Sequence, residues 1–518
     1  MAPSTSLPNL SLFSVLLTAS VVFSSVRPQS PYLYQPEMRK YGHQVEKRQA
    51  EKQNQQLSQT KIRLIQSLSN NKPLRTLNFP RNISEFLWQL DQSYFKHGVY
   101  PRNTRRLQKV LRKALDKKPV NLLIIGGSNS AGGGIDRREG NLESTYYGIF
   151  TRWWRRTIAP ITGSDIKVFN IAIGGTGGAL FAYCFDAFIP VNQIIDIVLV
   201  EQSVNYKLPG KAKPLEQLTR RLLRYFSAPD VLYVNAVGSF SGQSNPECVN
   251  LEDLGQTELA EHYQITSFSL RDIICPMVGG QRVKNSDMAS KMSSRDSNHI
   301  SIKAHAHIGT LLINYIRKVF LAQIQNNQFT TAVPRLPEPL LLDNPLEIIT
   351  NPKCSTSVTP NYKQDFYHRT LNLKPLSIQG FTFIVKPYLN FDKNTDYQEM
   401  ARMDRQRGWV GSGPGATIKY GVLVPPWRPG TEEVQSRSVS LIIHFESEGS
   451  EGLVFLDQQR DTGITVNAKE VRSTNDVYTI ATRVPPGYHT ITIEVLSEGK
   501  LMITGLVVGP PEFCCHFL

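Results

Sequence analysis

Between residues 118 and 325, short apolar runs alternate with longer stretches of helical character. Leu122–Ile125, Val168–Ile173, Ile194–Val200 and Val231–Val237 read as strands. Tyr146–Ile158 has helical content, and Ile300–Val319 reads as a closing helix. Strand–helix alternation predicts a parallel sheet covered by helices on both faces. Ahead of it, Phe86–Leu115 carries apolar residues at mixed three and four spacing and predicts one or two helices. Residues 326–376 hold Pro334, Pro337, Pro339, Pro345, Pro352 and Pro360 and predict an irregular linker. From Phe381 the pattern changes to about eight short β-rich segments separated by Gly, Pro and Asp turns, which predicts an antiparallel sandwich or jelly roll.

The first strand runs into Gly126-Gly127-Ser128-Asn129-Ser130-Ala131-Gly132. Glycines let the chain turn sharply as it leaves a strand. Ser128 then sits at the C-terminal edge of the sheet, where open α/β sheets bind ligands. A helix starting just after it would aim free N–H groups at developing negative charge. No register of Gly126–Gly134 fits the dinucleotide motif G-x-G-x-x-G, and no lysine completes a phosphate loop. The hydrolase elbow G-x-S-x-G fails too, because Ser130 stands where its second glycine belongs.

Three later segments extend the pattern. The second strand ends in Gly174-Gly175-Thr176-Gly177-Gly178, and a glycine turn there can offer a bare backbone N–H to an oxyanion. Asn205, just past the third strand, carries a neutral side-chain donor suited to the same charge. Asp296 and His299 stand three apart, a spacing that can set a carboxylate against Nδ1 and leave Nε2 to take a serine proton. Each segment alone also reads as ordinary turn or cap chemistry. His305 and His307 invite a metal, but i and i+2 on one helix point to different sides, and no metal site is expected.

In this order the set resembles the SGNH (GDSL-type) hydrolase superfamily over residues 118–325. Its first block, G-D-S-x-[ST]-x-G, is similar to Gly126–Gly132. Its second, an Asn five residues before the oxyanion glycine, is similar to Asn170 and Gly175. Its third, G-x-N-D, is similar to Ser203–Tyr206, and its last, D-x-x-H, is Asp296 to His299. Gly127 replaces the aspartate of the first block, and Ser203 and Tyr206 depart from the third. The resemblance implies a flavodoxin-like three-layer α/β sandwich with Ser128, His299 and Asp296 as a triad. Gly175 and Asn205 would hold the oxyanion, with no cofactor. It implies a serine esterase on acylated carbohydrate or lipid esters. An acyltransferase to sugar hydroxyls is the alternative within the family, and a non-catalytic carbohydrate-binding protein the alternative outside it.

At 518 residues the chain is long enough for two or three domains, and 40% hydrophobic residues make it a folded protein. Residues 1–120 hold 20 Lys and Arg against 6 Asp and Glu, nearly all of the net +15. No folded basic module with interleaved aromatics accompanies that charge, so nucleic acid is not an expected partner. A basic arm suits an anionic membrane or polysaccharide surface, or a solvated stalk. Residues 10–26, apolar but broken by serines, suit a secretory signal or an uncleaved anchor. The expected organisation is therefore signal or anchor at 1–26, basic stalk at 27–80, catalytic domain at 81–325, linker at 326–376 and β-sandwich at 377–518. Secretion or a lumenal location would make Asn82-Ile83-Ser84 a glycosylation candidate. There, Cys248 could bridge Cys275, and Cys354 could bridge Cys514 or Cys515.

Overall fold

A computed structural model describes residues 35–69, 97–135, 142–205, 212–237, 248–295, 297–327, 329, 332–342, 349, 351–360, 374–385, 407–425, 436–470 and 474–512. The chain divides into two compact units, 1–58 and 59–518. A helix, Gln35–Ser69, begins in the first, where residues 45–56 are exposed. Residues 1–34, with the apolar 10–26 segment, lie outside the described residues, as do Asn82, Tyr206, Asp296, Cys514 and Cys515. Among the described residues no helix is long and apolar enough to cross a membrane.

The second unit contains a six-stranded mixed sheet: β1 (Val99–Tyr100), β2 (Val120–Gly126), β3 (Ile166–Asn170), β4 (Ile197–Glu201), β5 (Asp230–Asn235) and β6 (Thr266–Ser269). Their spatial order is β1-β6-β5-β4-β2-β3. The last five are mutually parallel, and only the short β1 runs antiparallel, against β6. β4 and β5 are buried along their whole length, as parallel strands covered on both faces must be. Leu123, Ile125, Val198 and Val200 pack beneath Leu180 and Phe181 of the Gly178–Cys184 helix and Leu218 and Leu222 of the Lys213–Leu223 helix. On the other face the helices Tyr146–Thr157 and Ile302–Asn326 cross closely. A β-carbon at Gly309 would come within 3.0 Å of Tyr146 O and Ile149, so the crossing depends on that glycine. The chain reverses direction across the sheet between β3 and β4, which flank β2, and this puts a topological switch point at the C-terminal ends of β2 and β4.

After a small hairpin, β7 (Met277–Val278) and β8 (Gln281–Arg282), the expected linker is not wholly irregular: it contains β9 (Lys353–Thr356). Two antiparallel sheets follow. One is β10 (Pro375–Gln379), β13 (Thr417–Val424), β18 (Gly487–Val495), β15 (Glu451–Leu456) and β16 (Ile464–Asn467), in that spatial order. The other runs β11 (Phe381–Val385), β12 (Arg407–Ser412), β19 (Lys500–Glu512), β14 (Ser436–Phe445) and β17 (Thr474–Val484), with β9 added beside β19. Ile418, Tyr420 and Val422 face Val439, Leu441 and Ile443 across the sandwich core. The opposite face of β14 and β19 is also buried: Ile442 and Val507 join Phe181 in the core of the α/β body. Cys354 bridges Cys184 rather than a terminal cysteine, and Cys248 bridges Cys275 as expected. The first bridge spans 170 residues, a pairing no local spacing could indicate, and it fastens β9 to the Gly178–Cys184 helix.

Candidate active site

The switch point is where most of the sequence-marked residues meet. Ser128 leaves β2 half-buried, and Asn129 and Ser130 behind it are buried. No helix starts here, contrary to expectation. Instead a compact turn closes through Ala131 N–H to Gly127 O (3.0 Å) and Gly133 N–H to Ser128 O (2.7 Å), with Gly132 and Gly134 at φ +85° and +88°. His299 packs onto this turn. A β-carbon at Gly133 would stand 2.9 Å from both His299 Cδ2 and Ser128 O and 3.0 Å from His299 Nε2, so imidazole and serine flank the same glycine. The Asn129 side chain fastens the two segments, its Oδ1 accepting the Ile300 N–H at 3.1 Å. His299 is 8% exposed.

Asn205 approaches from β4. Its Nδ2 lies 1.7 Å from where a β-carbon on Gly127 would be, and its carbonyl lies 3.1 Å from the same position on Gly177. The residue therefore spans the two glycine turns, with its side-chain amide against Gly127 and its backbone carbonyl against Gly177. Nδ2 is buried and has no hydrogen-bond partner among the described residues. A buried donor left unpaired costs about 1–3 kcal/mol, and such costs concentrate where a ligand is to be met. Gly175 sits at φ +62° in the second turn, which begins beside β2 through Ile173 N–H to Gly126 O at 3.0 Å. Asn170 joins the two turns from below, donating from Nδ2 to Tyr147 (2.8 Å) and to Ser130 O (3.3 Å). Ser128, His299, Asn205 and the Gly175 turn thus lie together at the switch point, while Asp296 lies outside the described residues.

Sequence reading missed the group beneath. Glu201, the last residue of β4, is fully buried and accepts from Gly127 N–H (3.3 Å) and Ser130 Oγ–H (3.1 Å). Ser130 in turn meets Tyr146 OH at 2.7 Å. One carboxyl therefore holds both ends of the segment carrying Ser128. Burial pushes Glu201 up to about 7, only partly offset by the hydrogen bonds from Ser130 and Gly127. Because the folded value exceeds the ordinary 4.5, the Glu201 contribution to stability is full below pH 4.5 and is lost as pH rises through 7. The wild type should lose roughly 3 kcal/mol over that window relative to Glu201→Gln. Urea denaturation of both proteins at pH 4.5 and 7.5 checks this, and parallel pH profiles would contradict it.

His305 and His307 are core residues. Both are fully buried, and burial lowers them to about 3 and about 4 respectively, so both are neutral at pH 7. His305 stacks on Tyr146 (5.9 Å between centroids) and accepts its N–H. Among the described residues no group of His, Cys, Asp and Glu could hold a metal ion.

The sequence matches no family model and no curated protein. Solved structures are similar. A two-domain esterase (CEX) active on acetylated mannans superposes with a TM-score of 0.54 at 17% identity, over 81% of this chain and 99% of that one. The same esterase crystallised with mannopentaose gives a TM-score of 0.54 at 17% identity, covering 80% and 98%. The chain therefore has the fold of a two-domain esterase, an α/β body followed by antiparallel β-sheets.

Proposed function

We propose that the protein is a serine esterase of the SGNH type that removes acyl groups, acetyl above all, from carbohydrate. The observation that carries this reading is the meeting of Ser128, His299 and the unpaired Asn205 amide around two glycine turns at the sheet's switch point. Ser128 Oγ attacks the ester carbonyl while His299 takes its proton. Charge on the carbonyl oxygen is held by the N–H groups of Ser128 and Gly175 and by Asn205 Nδ2. His299 returns the proton to the leaving sugar oxygen, and water, activated by the same imidazole, hydrolyses the acyl-serine. Asp296 would orient His299. The parallel strand order β3-β2-β4-β5-β6 supports a flavodoxin-like body of the SGNH kind. The similar fold of an esterase active on acetylated mannans supports a carbohydrate ester as substrate, and two disulfides support an oxidising compartment.

The test is acetate release from p-nitrophenyl acetate and acetylated mannans by the purified full chain. Release by the wild type but not by Ser128→Ala is expected. An inert wild type, or release that survives Ser128→Ala, would overturn the reading. Acetate transferred to an added sugar, with little freed to water, would instead favour the acyltransferase.

A further inference from the structure

The β-sandwich reaches into this site. Among the described residues β17 is the edge strand of its sheet, so one side of its backbone has no partner in a regular strand there. At Asn475 that side meets the glycine turn after β3. Asn475 N–H donates to Gly175 O at 3.3 Å, and Thr176 and Asn475 form an isolated parallel bridge. Thr176 and Asn475 are both fully buried. On its other side Asn475 stands opposite His444 of β14, and its Oδ1 meets the buried His444 Nδ1 at 3.2 Å. Its Nδ2 is buried with no hydrogen-bond partner among the described residues, so this asparagine is held in place at a cost in stability. Directly after the turn, the Gly178–Cys184 helix packs on β17 and β9 and is bonded to β9 through Cys184–Cys354.

We propose that Asn475 is a positioning residue for acyl transfer: its backbone N–H holds the Gly175 peptide in the orientation that presents the turn to the oxyanion. The proposal rests on the esterase reading above. Gly175 has no side chain to restrict it and stands at φ +62°, one of several basins open to glycine. A bond to its carbonyl from a rigid sheet selects one of them. The sandwich is then part of the catalytic unit and not only an appended module. A module that merely gathers substrate would act on KM. A holder of the oxyanion turn acts on the transition state and therefore on kcat.

Two substitutions in the full chain separate the contributions of Asn475. Asn475→Pro removes the N–H, which points away from β14, so no bond of the β14–β17 ladder is lost. Asn475→Ala keeps the N–H and removes only the side chain. With active molecules counted by fluorophosphonate titration, Asn475→Pro should lower kcat on p-nitrophenyl acetate by about 10–100-fold, with KM within about twofold. Labelling of Ser128 should slow in parallel, and Asn475→Ala should stay within about threefold of wild type. Wild-type kcat in the proline variant, or a loss confined to KM, overturns the proposal. Should the proline variant fail to fold, Asn475→Gly compared with Asn475→Ala decides it, since glycine keeps the N–H but loosens the backbone that carries it. A loss in kcat alone supports the proposal, and an unchanged kcat overturns it. A wild type that neither turns over nor labels at Ser128 refutes the esterase reading itself, a result distinct from these.

Discussion

Ser128→Ala should lower turnover of p-nitrophenyl acetate by about 10³-fold or more, because a missing nucleophile leaves only the oxyanion donors and binding. A fluorophosphonate should label the wild type at Ser128 and leave Ser128→Ala unmarked. The informative control is its neighbour two residues on. Ser130 is fully buried, with Oγ occupied by Glu201 and Tyr146, so it cannot reach an ester. Ser130→Ala should keep the label and lose stability instead, by about 1–3 kcal/mol, since the Glu201 carboxyl and the Tyr146 hydroxyl each lose a partner. Label on Ser130 in the wild type, or its loss in Ser130→Ala with the protein folded, would place the nucleophile elsewhere on the turn.

Gly127→Ala should be nearly as damaging, although it adds one methyl group and touches no reacting atom. The new β-carbon would lie 1.7 Å from Asn205 Nδ2 and 2.9 Å from Cγ, so the amide must leave its place. Losing one oxyanion donor costs about 10²–10³ in kcat, and both Gly127→Ala and Asn205→Ala should fall in that range with KM little changed. The double variant should be no worse than Asn205→Ala alone, because the two changes remove the same interaction. Additive losses, or full turnover in Gly127→Ala, would mean that Asn205 does not serve the reaction. An aspartate at position 127 would have no room beside Asn205.

The parts of this site that sequence displays are those set by local rules. Ser128, Gly175 and Asn205 each follow an apolar strand within a few residues, so strand periodicity places them at one sheet edge. Glu201 was invisible for the opposite reason. A carboxylate closing an apolar strand looks like the start of a loop, and only the folded chain shows it under Gly127 and Ser130, about 70 residues earlier in sequence. Asn475 carries no motif at all, since its role lies in its backbone. The fold shows the same division. β2, β4 and β5 announce themselves as apolar runs, whereas β6 reads Thr-Ser-Phe-Ser and β1 has two residues. The observed strand β3 ends at Asn170, before the apolar run does, yet Ile171 and Ile173 still donate to Ile124 O and Gly126 O of β2 and so carry the glycines along the sheet. Partners far apart in sequence, Cys184 with Cys354 and β9 with β19, leave no trace in spacing.

That last pairing bears on timing. β19 is the last strand in chain order among the described residues, yet it lies inside its sheet, between β12 and β14 and against β9. During synthesis β9, β12 and β14 must each wait for it, and pairing across roughly 150 residues is slow for reasons of chain entropy. The α/β body can collapse earlier, with Ser128 and His299 already beside one another, while β17 still lacks the sheet that gives it a fixed edge. On the proposed function, a chain in which β19 has not yet paired would hold Ser128 and His299 together without the fixed edge that meets the Gly175 turn, and would gain full activity only once the sandwich has closed.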